Sequence, residues 1–165
     1  MHTTASQRGS LILEVLITLG VTVIFGLAVG ALLTSNSKLT TAAELKGEAA
    51  GYAKETMEQL FAMKYEDWNN LALVPNEDFY RVTESGSVFS LIVEPDLPDG
   101  EALDSQTFHR LLMLTVGRRD AQGRLTTDGT GTEDADVRHV IVTITWQEDS
   151  RMQSAKLESF LTNWQ

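Results

Sequence analysis

The chain has 165 residues, of which 42% are hydrophobic and 22% charged. That suits one folded domain with an appendage, and it excludes a disordered chain or two full domains. Its 13 basic and 23 acidic residues leave a net charge of −10, so no direct nucleic-acid partner is expected, and the absence of cysteine removes disulfides, thiolate metal sites and cysteine nucleophiles together.

These averages conceal an uneven chain. Ser10 to Leu33 reads SLILEVLITLGVTVIFGLAVGALL, 24 positions whose one charge is Glu14. As a helix rising ~1.5 Å per residue it spans roughly 36 Å, enough to cross a hydrocarbon core of about 30 Å. The head before it, Met1 to Gly9, carries Arg8 and no acid. Positive charge on a short flank holds that end in the cytoplasm and directs the following body outward.

Two plain readings exist for such a segment. One is a secretory signal peptide, with Ala28-Val29-Gly30-Ala31 as a small-x-small cleavage site. The other is an uncleaved anchor. Glu14 argues against both, because a carboxylate inside an apolar span costs a few kcal/mol unless it is paired or close to the interface. The rest of the span offers no cation. A cut between Gly9 and Ser10 would supply one, a new α-amino group one helical turn from Glu14. In a stack of axially offset helices, the amine of one chain would meet the carboxylate of its neighbour. Such a pair fixes register more surely than it adds stability. Gly26 and Gly30 have the small-xxx-small spacing that lets membrane helices approach closely, and the same pair is also tolerated in a helix without that role.

The stretch RGSLILEVLITLGV resembles the processing site of the type IV filament prepilins: a short basic leader ending in Gly, a cut, and Glu at mature position five of an apolar run. The resemblance implies that prepilin peptidase, an aspartyl membrane enzyme, cleaves after Gly9 and methylates the amine of Ser10, and that Glu14 is the assembly carboxylate. Ser10 departs from the family pattern, which usually has Phe there. The implied protein is not an enzyme. It is a structural subunit, a minor pilin or pseudopilin of a type IV pilus or type II secretion-type filament. Its implied partners are the peptidase, other pilin or pseudopilin subunits contacted through N-terminal helices, an inner-membrane assembly platform and membrane lipid. It would sit in the cytoplasmic membrane as a single-pass protein with an extracytoplasmic C-terminal domain, then enter a pilus or periplasmic pseudopilus.

Beyond Leu33 the helical pattern continues. Residues 34–64 contain no proline, and Leu39, Ala42, Ala49, Ala53, Met57, Leu60 and Phe61 recur at three- and four-residue spacings. Tyr65 to Leu71 breaks the period, with Asn69 and Asn70 favouring a turn. Phe79–Thr83 and Ser87–Val93 read as short strands, and Pro95 to Gly100 as a turn-rich loop.

Three later runs alternate. Phe108, Arg110, Leu112, Leu114 and Val116 share one face, and Val140, Val142, Ile144 and Trp146 another. Ala155, Leu157 and Leu161 share the third, with Gln147–Arg151 as a hairpin turn. The expected fold is α+β: a long N-terminal helix packed on a C-terminal antiparallel sheet, similar to the pilin ladle. The expected divisions are leader 1–9, filament-core helix 10–33, amphipathic helix 34–64, connecting region 65–106 and sheet 107–165.

Little else in the sequence suggests chemistry. His2, His109 and His139 are isolated, and no nucleophile, phosphate-loop, zinc or dinucleotide motif is present. No cofactor is expected. Asp128, Glu133, Asp134 and Asp136 form an oxygen-rich candidate for calcium within the loop expected at Asp120–Asp136, although their spacing is not that of an EF-hand. Asp96, Asp99, Glu101 and Asp104 form a second acidic cluster. An uncleaved, membrane-anchored extracytoplasmic binding module, calcium-dependent if those carboxylates take the ion, is the alternative function.

Overall fold

A computed structural model describes residues 4–76, 79–86, 88–93, 100–103, 108–148 and 150–163, with side chains from Leu13 onward. The chain divides into two compact units, Met1–Glu44 and Leu45–Gln165. Helix α1 (Thr4–Glu66) contributes to both. A short helix, α2 (Asn69–Ala72), follows, and then seven strands: β1 (Phe79–Ser85), β2 (Val88–Val93), β3 (Glu101–Leu103), β4 (Phe108–Arg119), β5 (Leu125–Thr126), β6 (Thr132–Glu148) and β7 (Arg151–Thr162). The fold is α+β.

The first unit is helix. No proline interrupts it, and its residues are mostly good helix formers or membrane-tolerant β-branched ones. Its described apolar side chains, from Leu13 to Leu33, are all exposed.

The second unit holds the core. The sheet runs β2-β1-β4-β6-β7, every step antiparallel, with β3 and β5 paired to other stretches of β4. Along α1, Ala49, Ala53, Met57, Leu60 and Met63 are buried at helical spacing. They join one cluster with Phe108, Leu112 and Leu114 of β4, Val140, Val142, Ile144 and Trp146 of β6, and Tyr80, Val82 and Leu161. Burial of each large side chain contributes about 1.5–3 kcal/mol. Alanines on the upstream part of the stripe allow close approach to the sheet, and the methionines and Leu60 fill the space further along. Tyr52, Phe108 and Trp146 form a chain of tilted rings with centroids 5.4 and 6.1 Å apart.

Several sequence expectations need correction. Leu39 belongs to the expected stripe by spacing, yet it is 66% exposed, and the buried face starts only near Leu45. The break expected at Tyr65–Leu71 is briefer: α1 ends at Glu66, and Asn69 opens α2 after its backbone N–H donates to Asp67 Oδ1 at 2.9 Å. The region Asp120–Asp136 is not one loop. It contains β5, and Thr132–Asp136 is the start of β6. The β4–β6 ladder shifts register between Val116 and Gly117. Glycine is required at that bulge, because a Cβ on Gly117 would lie 2.3 Å from Val137 Cγ1.

Candidate functional site

The feature that sets this chain apart from an ordinary α+β domain is the apolar start of α1. Its most apolar 18-residue window has a mean hydropathy of 2.5 and none of it is buried, so the helix is long and apolar enough to cross a membrane. A run of large exposed side chains, among them Leu16, Ile24, Phe25 and Leu32, could not stand in water without a partner or a lipid phase.

The polar groups within it are prepared for that phase. Thr18 donates its hydroxyl to the Glu14 carbonyl at 2.8 Å, Thr22 to the Thr18 carbonyl at 2.8 Å, and Thr34 to the Gly30 carbonyl at 3.0 Å. A hydroxyl satisfied by its own helix adds little penalty in hydrocarbon. Glu14 is the exception. It is exposed among apolar neighbours, with Val15, Thr18 and Leu19 beside it. Gly26 and Gly30 have open space where a side chain would begin, so nothing among the described residues requires glycine there. Gly9 and Ser10 fall in α1, and their surroundings lie outside the described residues.

The four candidate calcium carboxylates do not converge. Asp128 accepts from the backbone N–H and hydroxyl of Thr130 at 2.9 and 2.7 Å. Glu133 pairs with Arg118 at 2.6 Å, and Asp134 with Arg119 at 2.6 Å. Asp136 accepts from Asn163 Nδ2 at 3.1 Å. Among the described residues no three acidic or histidine side chains are grouped to hold a metal ion. The arginine beside Asp134 holds that carboxyl below the usual range, as the Thr130 hydroxyl does for Asp128. Of the other acidic cluster, Asp96, Asp99 and Asp104 lie outside the described residues, as does His2.

Glu101 is committed elsewhere. It forms an ion pair with Arg110, which is buried on the helix-facing side of β4. Arg110 also donates through Nη1 to the hydroxyl of fully buried Thr56 on α1 at 3.0 Å. A second buried arginine, Arg138, donates Nη1 to Asn76 Oδ1 at 2.9 Å and Nη2 to the carbonyl of Ala72 at the end of α2. Burial pushes the pKa of its guanidinium down. Arg110 ties β3 and α1 to β4, and Arg138 ties the end of α2 and the segment after it to β6. The alternation of β4 already put Arg110 on the core side, and extending the β6 face two residues back from Val140 reaches Arg138. Their partners Thr56, Glu101 and Asn76 had no signal in the sequence.

The outer face of the sheet carries His139. Its Nε2 lies 2.8 Å from Glu158 on β7, and its ring stacks on Phe160 at 4.8 Å. Glu158 also pairs with Lys156 at 2.7 Å, and Lys156 first, then His139, lowers its pKa. Nearby, Asn76, Thr115, Arg118, Thr127, Glu133 and His139 line a polar cleft of about 280 Å³. His109 Nδ1 and Trp146 Nε1 are buried without a hydrogen-bond partner among the described residues.

Comparison with protein-family models, with curated proteins and with solved structures finds no match to this chain.

Proposed function

We propose that this protein is a structural subunit of a type IV filament, a pseudopilin or minor pilin, that is cut after Gly9 and assembles through its N-terminal helix. One observation carries the reading: the membrane-length apolar segment Ser10–Leu33 at the start of α1 has a single carboxylate, Glu14, five positions after Gly9. The α+β body and the exposed apolar start of α1 support this reading.

In this mechanism the uncut chain waits in the cytoplasmic membrane with its body outside. Prepilin peptidase removes residues 1–9 and leaves a cationic amine on Ser10. The Ser10–Leu33 segment then leaves lipid for a core of like helices, where apolar surface stays dry throughout. Burying Glu14 among those helices is unfavourable until the amine of an adjacent subunit neutralises it. Axial slippage separates the charges again, so the pair selects one register. Gly26 and Gly30 permit the close helix contacts that this packing needs.

The test is a pair of variants expressed in the source cells. Gly9→Leu leaves the precursor at full length, because the bulky side chain blocks the peptidase. Glu14→Ala is inserted and cut normally but enters filaments poorly. A mature-sized Gly9→Leu product, or normal incorporation of Glu14→Ala, contradicts the proposal.

A further inference from the structure

We infer that the two outermost strands among the described residues, β2 and β7, join in parallel between neighbouring copies of this chain, an inference that rests on the filament reading, with this chain as a repeating subunit, for the direction of the helices. Strand β2 is Val-Phe-Ser-Leu-Ile-Val, without a charge or a proline, at one end of the strand order. Val88, Ile92 and Val93 are 48%, 43% and 40% exposed. Soluble proteins normally blunt such an edge with lysine, proline or a bulge, because its free N–H and C=O groups recruit another strand. None of these devices is present in β2. The hairpin it belongs to is also loosely held. Strand β1 pairs with β2 along six residues but with β4 only through Phe79 and Tyr80, and β3 occupies β4 at Phe108–Arg110. At the other end, β7 is 12 residues long and Leu157 is 36% exposed.

Direction selects the occupant. Five strands in a wholly antiparallel path make the first and last run the same way. Joining β2 to β2, or β7 to β7, with the helix-covered faces on one side needs a two-fold axis normal to the sheet. That axis would reverse the Leu45–Glu66 segment of α1 in the second copy. Copies with parallel helices and their helix-covered faces on one side can meet at these edges only with β7 of one against β2 of the next. The faces then match. Phe89 and Leu91 lie on the helix side through their register with Glu84 and Val82, and Ala155 and Leu157 do so through Ile144 and Val142. The six residues of β2 offer about 20 Å of main chain to the contact. The contact is head-to-tail and does not close on itself, as a filament requires.

The chain has no cysteine, so two introduced thiols report the contact alone. Full-length protein carrying Ser90→Cys together with Lys156→Cys is expressed from its own locus, and sheared filaments are oxidised. The expected result is a ladder of multimers on a non-reducing gel, with monomer only from either single variant. Adding Ile92→Lys, a charge on the joined edge, lowers the ladder about tenfold, equivalent to ~1.4 kcal/mol, with the circular dichroism of the body unchanged. Filaments that form without a ladder overturn this inference and leave the filament reading standing. Dimers from Ser90→Cys alone show β2–β2 pairing and overturn it, as does cross-linking to a different subunit. If electron microscopy finds no filaments at all, the filament reading falls and takes this pairing with it.

Discussion

Arg110 on β4 and Thr56 on α1 meet at 3.0 Å inside the core, 54 residues apart in sequence. The same guanidinium holds Glu101, so one side chain fastens helix, central strand and the β3 segment together. Arg110→Ala leaves a carboxylate and a buried hydroxyl without their donor. The expected destabilisation is about 3 kcal/mol, a fall in Tm of roughly 6–12 °C. Thermal unfolding followed by circular dichroism in detergent checks it, and a change under about 2 °C contradicts the clamp.

Acid should loosen the body in a defined direction. The carboxyls of Asp134 and Glu158 have folded pKa values below their ordinary 3.8 and 4.5, because Arg119 faces the first and Lys156 the second. A lowered carboxylate contributes stability that is present above the unfolded value and is lost as pH falls through the folded one. The Tm should therefore be flat above pH ~5 and drop below pH ~4. Asp134→Asn should make that drop shallower. An unchanged acid limb in the variant would show that the Arg119 pair does not contribute.

Two classes of glycine should separate cleanly. Gly117→Ala drives a methyl into Val137 at the β4–β6 bulge and should cost about 1–3 kcal/mol. A Cβ at Gly26 would have no neighbour within 4 Å beyond its own stretch of helix, so Gly26→Leu should leave the unfolding of the body unchanged while reducing assembly. Equal losses of stability in both variants would refute the distinction.

The legibility of this molecule followed the strength of its periodicities. β4, β6 and β7 were readable because apolar residues recur at every second position, interrupted only at Arg110 and Ser159, and α1 because no proline interrupts it. β3 and β5, at three and two residues, are too short to carry a period and exist because β4 offers them an edge. The start of β6 was hidden by Glu133, Asp134 and Asp136, which resemble a solvated loop until Arg118 and Arg119 are seen opposite them. Leu39 misled because helical spacing continues past the point where a sheet lies against it. The Gly9–Ser10–Glu14 pattern needed only local spacing and was visible from the start. The pairs of Arg110 with Thr56 and of Arg138 with Asn76 depend on the tertiary fold and were not.

The central claim is that residues 1–9 are removed and that the amine so created serves Glu14. Intact mass of the protein extracted from purified filaments tests it most directly. The account predicts a chain that begins at Ser10 and carries one methyl group. A chain that still begins at Met1, or one cut near Ala31, contradicts it.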